Sequence, residues 1–202
     1  RESEGWAFLP APMAHAALDA ERVLAETGDA RRSDLLVDAA CFARQLELAR
    51  SSGCQILADY VRALIDGANL KSLVRTLRLK KDAAFLRELL LPGGTVSPER
   101  IVQHGFSSSA AELFAGSALA QAAQAAEAAA AGGSLTELER LCDNAALNVI
   151  GRARRVPFGV EVPVGYVAAR ENELMSVRLV ITGLLAGIPA DQIRERLRET
   201  NG

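Results

Sequence analysis

The sequence predicts an all-α fold, and three properties of its 202 residues support this. Half of the residues are hydrophobic but only 4% are aromatic, so the core must consist mainly of Ala, Leu and Val. Such residues suit close helix packing better than sheet stacking. Glycine and proline divide the chain at intervals typical of helices. No long stretch alternates between polar and apolar residues, as a half-buried strand would.

In the first half of the chain, five helices are delimited by residues typical of helix ends. Pro12 suits the first turn of a helix, and Gly28 suits its end. Ser33 or Asp34 is predicted to cap the second helix. Four apolar residues of the third helix follow steps of four, three and four, which indicates one buried face: Leu57, Val61, Leu64 and Ala68. The helices are expected at about 13–27, 35–50, 55–79, 82–90 and 98–104.

The second half is also predicted to be helical. Residues 110–131 include 13 alanines among 22 residues and are predicted to form one helix, since alanine is the strongest helix former. Ser134 and Glu137 have the spacing of a capping box. The stretch 156–162 is compatible with extended structure, but the prolines in and after it exclude a central strand. The helices are expected at about 110–131, 134–151, 163–186 and 190–199.

Composition argues against several classes of function. Lys and Arg number 23 against 25 Asp and Glu, so no broad positive charge favours nucleic acid or an anionic membrane surface. Cys41, Cys54 and Cys142 lack the short paired spacing of metal or redox motifs, and we expect reduced thiols in a reducing cytoplasm. No apolar run has the roughly 20 residues of a transmembrane helix, and no signal peptide is visible. Because the first residue is not Met, we expect a fragment.

No motif of enzyme chemistry is found, so we predict no catalytic, cofactor-binding or metal-binding residues. The glycine pairs at 93–94 and 132–133 lack the Gly-x4-Gly-Lys frame of a phosphate loop. Ser107–Ser109 lacks the Gly-x-Ser-x-Gly frame of a nucleophile elbow and is interpreted as helix capping. The basic cluster 152–155 suits the negative end of a helix dipole.

Two segments resemble each other. Asn69 and Arg75 share an Asn-x5-Arg spacing with Asn172 and Arg178, and each pair is followed by a short helix containing Arg and Glu. This predicts a repeat of about 100 residues. We therefore expect two helical units, 1–105 and 106–202, with a boundary near Gly105.

These segments also carry the motifs of a known family. Asp66-x-x-Asn69-Leu70-Lys71-x-x-x-Arg75 resembles the D-x-x-N-[IL]-K-x-x-x-R helix of the V/A-type ATP synthase C-type subunits, whose eukaryotic counterpart is the d-type subunit. The break 90–94 resembles that family's L-x-P-G-G turn. Tyr166-x-x-x-Arg170-Glu171-x-Glu173-Leu174-x-x-x-Arg178, followed by residues 188–194, resembles its C-terminal motif. The resemblance extends from about Met13 to the end of the chain.

The resemblance implies a non-catalytic central-stalk protein without cofactors. Family members of full length carry three helical repeats around a pseudo-threefold, funnel-like socket, of which this chain would hold two. The expected partners are the D and F components of the central shaft and the proteolipid rotor ring. The expected location is peripheral, at the cytoplasmic face of the plasma membrane. The interface or structural candidates are Asp66, Asn69, Lys71, Arg75, Tyr166, Glu171, Glu173 and Arg178.

Helical spacing assigns a role to several of these candidates. Six residues of the last long helix share one stripe: Val167, Glu171, Leu174, Arg178, Ile181 and Leu185. Glu171 and Arg178 are about 10 Å apart along the helix, too far for a good direct pair. We expect this stripe to face the core, with each of the two residues either in an edge-of-core salt bridge to another helix, which is favoured, or lining the funnel or a repeat junction. Asp66 and Asn69 are poor helix formers, which indicates a tertiary contact. Glu173 and Arg170 are expected to form a surface pair.

Two other classes of function are weighed against this one. A generic helical-repeat adaptor of the armadillo or tetratricopeptide kind would show a period of about 34 or 40 residues, which is absent. A helical enzyme or ligand-binding regulator would need a pocket with converging polar groups, and the motifs predict none.

Overall fold

The computed structural model describes residue 6 and residues 8–198, and in these residues the chain is all-helical, without a strand. The predicted fold class is therefore confirmed. The helices are α1 (Ala11–Thr27), α2 (Ala30–Ser51), α3 (Gln55–Arg78), α4 (Ala83–Leu89), α5 (Pro98–His104), α6 (Ala110–Phe114), α7 (Ala120–Ala130), α8 (Leu135–Gly151), α9 (Glu161–Leu185) and α10 (Ala190–Arg196). A 3-10 turn, Arg152–Arg155, follows α8.

Local side-chain caps explain where several helices begin. The Ser134 hydroxyl accepts a hydrogen bond from the Glu137 backbone N–H at 3.1 Å, as the predicted capping box requires. Ser97 and Asp82 cap α5 and α4 in the same way, through the residue three positions ahead. The predicted cap of α2 at Ser33 or Asp34 is wrong. Asp29 caps that helix instead, because its carboxylate accepts from the first two backbone N–H groups after Ala30.

Two predicted boundaries in the second half are also corrected. The alanine-rich segment 110–131 is not one helix, because a turn at 115–119 separates α6 from α7. The Ser117 hydroxyl stabilises this turn by accepting from the Leu119 backbone N–H at 3.1 Å. The bend lets both Phe114 and Leu119 enter the core, where each is fully buried. The stretch 156–162 contains no strand, and α9 begins at Glu161.

Helix α3 is the centre of the fold. It packs against α2 on one side and against α7 and α8 on the other, and α4 and α9 also contact it. One core cluster joins its residues Leu70, Leu73 and Val74 to apolar side chains of α4 to α8. A second cluster attaches α2 and Leu91 to Ile65 of α3. The larger core therefore crosses the proposed repeat boundary near Gly105, which itself stays a prediction.

The three cysteines are free thiols. Cys54 and Cys142 are buried and Cys41 is half-buried. Burial raises the pKa of the Cys142 thiol to about 12, because the interior disfavours a thiolate. Cys142 therefore behaves as a small core residue that packs α8 against Gly67 of α3. If Gly67 carried a Cβ, that atom would lie 3.5 Å from Cys142 Cβ.

Candidate functional site

Two motif residues of α3 hold a loop through hydrogen bonds. The Asn69 side-chain amide donates to the Leu91 carbonyl at 2.9 Å, and its oxygen accepts from the Leu91 N–H at 2.8 Å. The Asp66 carboxylate accepts from the Val96 N–H at 3.2 Å. Both side chains are fully buried. The predicted tertiary contact is therefore confirmed, and Asp66 and Asn69 together fasten the loop 90–96, which we call the clamped loop.

The glycines of the clamped loop are explained by the same contacts. Gly93 has a φ of 100°, which favours glycine, and a Cβ there would lie 2.7 Å from Leu46 Cδ2. A Cβ at Gly94 would overlap the Asp66 carboxylate. The family-like L-x-P-G-G turn thus fits this loop because the backbone passes directly against α3.

Asp66 is a carboxyl group in an unfavourable environment. Burial raises its pKa, while hydrogen bonds from Val96 and Thr95 act in the opposite direction by stabilising the charged form. Ionising a buried carboxyl group is costly, and the hydrogen bonds from Val96 and Thr95 offset only part of that cost. The group therefore serves to position the loop, at the expense of stability near neutral pH.

The other two α3 candidates lie further along the helix. Arg75 is exposed and pairs with Glu139 of α8 at 2.9 Å. Such an exposed ion pair contributes about 0–1 kcal/mol, so it adds little to the α3–α8 contact. Lys71 is half-buried, and its charge lowers the pKa of Cys142 against the larger, raising effect of burial.

Helix α9 packs on the body through small residues. Gly165, Asn172 and Gly183 are its buried positions. A Cβ at Gly165 would lie 2.8 Å from Ala153 Cβ, and one at Gly183 would lie 2.8 Å from Ile193 Cδ1. These two glycines allow α9 to approach the 3-10 turn and α10 closely, which larger side chains would prevent.

The expectation that the apolar stripe of α9 faces the core is wrong. Leu174 is 68% exposed and Leu185 is 83% exposed, and the rest of the stripe, including Glu171 and Arg178, is exposed as well. Helical periodicity identifies residues that share a face, but the close fit of the glycine side against the body decides which face turns inward. Arg178 and Glu171 consequently lie at the surface rather than at the edge of the core.

The surface ion pair predicted between Arg170 and Glu173 is present on α9. Arg170 pairs with Glu173 at 2.6 Å, and both side chains are more than half exposed, so the surface pair is confirmed. The Arg170 guanidinium also lies 5.6 Å from the centre of the Tyr166 ring and donates to its hydroxyl at 3.3 Å. The hydrogen bonds to Tyr166 and Glu173 raise the pKa of Arg170 further, so it stays charged.

A groove between α8 and α9 contains residues that motif analysis missed. Its volume is about 510 Å³, and its lining includes Glu139, Arg140, Asp143, Arg178 and Arg198. Arg198 and Asp143 form a half-buried ion pair at 2.7 Å. Their separation of 55 residues along the chain left no local signal in the sequence. Glu139 lines this groove together with Arg178 and also pairs with Arg75.

Two properties of the described residues concern metal ions and membranes. Within residues 6 and 8–198, no three His, Cys, Asp or Glu side chains are grouped so that they would hold a metal ion. None of the helices that the structure describes is long and apolar enough to cross a bilayer.

Comparison with known proteins identifies the family. The family described as ATP synthase (C/AC39) subunit matches residues 7–196. This chain belongs to that family. The C-type subunit of the A-type ATP synthase of Thermococcus onnurineus (strain NA1) is 27% identical over 145 residues, and that of Desulfurococcus sp. (strain SY) is 26% identical over 145 residues. Each alignment covers 69% of this chain.

This C/AC39 family chain is much shorter than those relatives. The alignments span 38% of the length of each of the two archaeal proteins. No solved structure matches the chain. The residues that carry the motif resemblance, from Asp66 to Arg178, all lie within the region that the family match covers.

Proposed function

We propose that this chain is a non-catalytic central-stalk component of a V/A-type rotary ATPase. It would couple the D/F shaft to the proteolipid ring, in a complex that links proton or sodium transport to ATP hydrolysis or synthesis. The observation that carries the proposal is the family match over residues 7–196. The two archaeal relatives, named as C-type subunits of A-type ATP synthases, support it.

The physical properties of the chain suit a part that transmits torque. A socket of this kind must resist deformation, and the shared core around α3 joins helices from both halves of the chain. The clamped loop adds backbone contacts that keep α3 and residues 90–96 in one arrangement. Packed interiors transmit strain because they have low compressibility.

The candidate contact residues differ in how far their side chains are exposed to solvent. Asp66 and Asn69 are buried and would act only by shaping the body, whereas Tyr166, Glu171 and Arg178 are exposed and available to a partner. Arg75 and Glu173 are also exposed, and Lys71 is half-buried. We propose that the exposed members contribute to docking in the assembled motor, at the cytoplasmic face of the plasma membrane.

The first experiment measures binding to both sides of the proposed socket. The proteolipid ring and the shaft proteins are used separately as bait, with this chain and with a protein of the full length of its relatives as prey. We expect the longer protein to bind both baits and this chain to bind more weakly, because this chain matches only 38% of the length of its relatives and would present less complementary surface. If the longer protein binds neither bait, the central-stalk proposal is wrong and a generic helical adaptor replaces it.

A second experiment separates two activities of the holoenzyme. Removing this component should leave ATP hydrolysis by the soluble head intact while ion pumping collapses, since torque crosses only where rotor parts are joined. Adding the full-length protein back should restore pumping. Pumping that persists after its removal would contradict the proposal.

A further inference from the structure

The groove between α8 and α9 concentrates positive charge, and we call it the arginine groove. Three of its arginines belong to α8, α9 and α10, and a fourth follows α10: Arg140, Arg178, Arg196 and Arg198. Two carboxylates, those of Glu139 and Asp143, also line it. Four positive and two negative charges leave the lining with a net charge of +2, although the chain as a whole carries −2.

Both carboxylates of the arginine groove already have a partner. Asp143 accepts from Arg198 at 2.7 Å, and Glu139 pairs at 2.9 Å with Arg75, which does not line the groove. Among the residues that the structure describes, Arg140 and Arg178 have no ion-pair partner. Arg140 is also half-buried, so its guanidinium has lost part of its hydration without gaining a carboxylate. The groove therefore offers unmatched positive charge to a ligand.

The length of the arginine groove indicates the size of that ligand. On α8 the lining runs from Thr136 to Asp143, and on α9 it runs from Met175 to Thr182. Each of these stretches rises about 10 Å along its helix axis. A single phosphate or carboxylate group is much shorter, whereas about three residues of an extended peptide have this length. The volume of about 510 Å³ leaves room for their side chains.

The chemistry of the lining indicates the composition of such a peptide. A guanidinium group donates two parallel hydrogen bonds to one carboxylate, which makes arginine well suited to acidic side chains. Met175 and Leu179 add apolar surface between the charged residues of the lining. Thioether and aliphatic side chains of this kind pack against an apolar residue of a ligand. A segment in which carboxylates flank an apolar side chain matches both properties.

We propose that the arginine groove binds a short acidic segment of another protein, with its carboxylates on Arg140 and Arg178 and an apolar side chain against Met175 and Leu179. Because the whole chain is negatively charged, an acidic segment gains attraction only at a local site of this kind. The charge and shape of the groove carry this inference, which does not rest on the proposed function.

The first test uses fluorescence anisotropy with the purified chain and a labelled synthetic peptide of repeating Glu-Glu-Leu. Peptides of repeating Gln-Gln-Leu and Lys-Lys-Leu are the matched controls. We expect the acidic peptide to bind saturably below about 500 μM and at least about tenfold more tightly than either control. Its affinity should fall as salt is raised, because salt screens exposed charges. If the Gln-Gln-Leu peptide binds as tightly as the acidic one, the proposal is overturned.

Charge reversal in the groove tests where the acidic peptide binds. Arg178→Glu should weaken its binding about tenfold, since the change replaces an attractive contact by a repulsive one. The same variant should bind the Lys-Lys-Leu peptide more tightly than wild type does. Arg87→Glu is the matched control, because Arg87 is exposed on α4 outside the lining and its reversal changes the net charge equally. An equal loss of affinity in both variants overturns the assignment to this groove.

Two other anionic ligands provide the remaining arms of the experiment. Inorganic phosphate at millimolar concentration should not displace the acidic peptide, and vesicles of phosphatidylserine and phosphatidylcholine should not bind the chain through Arg178. Displacement by phosphate would identify a site for a single anion, and vesicle binding that Arg178→Glu abolishes would identify a membrane contact. Either result refutes the peptide site. Unchanged circular dichroism of the variants checks that they fold.

Discussion

Replacing Asn69 by alanine tests how much the clamped loop contributes to stability. The substitution removes two hydrogen bonds and leaves the N–H and carbonyl of Leu91 without partners, at a residue that is only 6% exposed. An unpaired buried polar group costs about 1–3 kcal/mol. We therefore expect the free energy of unfolding to fall by about 2–4 kcal/mol, with some relief if water reaches the loop. For a chain of this size that corresponds to a melting temperature lower by about 5–15 °C.

Urea unfolding followed by circular dichroism measures this change. Asn148→Ala is the matched control, since Asn148 is exposed on α8 and its replacement should change stability by less than about 0.5 kcal/mol. Asn69→Asp keeps the acceptor for the Leu91 N–H but sets an oxygen against the Leu91 carbonyl, so it should also destabilise the chain. If Asn69→Ala loses less than about 1 kcal/mol, the clamp does not hold the loop in the way that its geometry suggests.

Three further predictions concern the ionisation of Asp66, the exposure of Arg178 and the binding of ATP. Because burial raises the folded-state pKa of Asp66, wild-type stability should decline as pH rises from about 4 through that raised pKa. Asp66→Asn lacks this titration, so its stability relative to wild type should increase over the same window and level off above it; a pH-independent difference in urea midpoints would contradict the raised pKa. Arg178→Ala should melt within about 2 °C of wild type in a thermal scan, because Arg178 is exposed, and a loss of several kcal/mol would show that it is buried in solution. Isothermal titration with ATP should give no saturable binding at micromolar concentrations, since no phosphate loop is present in the sequence.

Local signals in the sequence were sufficient for the helical class and for most helix ends. The capping serines and aspartates act on backbone groups two or three residues away, and the prolines and glycines act on their own backbone angles, so their effect is visible in a short window. The same holds for the motif residues of α3. Asp66 and Asn69 stand in a helix interior where they are intrinsically unfavourable, and that alone indicated a tertiary partner.

Contacts between distant parts of the chain decided the rest. The partner of Asn69 lies 22 residues away along the chain, and that of Arg198 lies 55 residues away. A periodic pattern in the sequence does not reveal contacts between residues so far apart. The break between α6 and α7 arises because Phe114 and Leu119 both enter the core, although alanine propensity favours a continuous helix. In α9, the helical spacing correctly identified which apolar residues share a face, but the prediction that this face points into the core was wrong. Only the packed structure shows that Gly165 and Gly183 must turn inward, because a helix can approach Ala153 and Ile193 this closely only where it has no side chain.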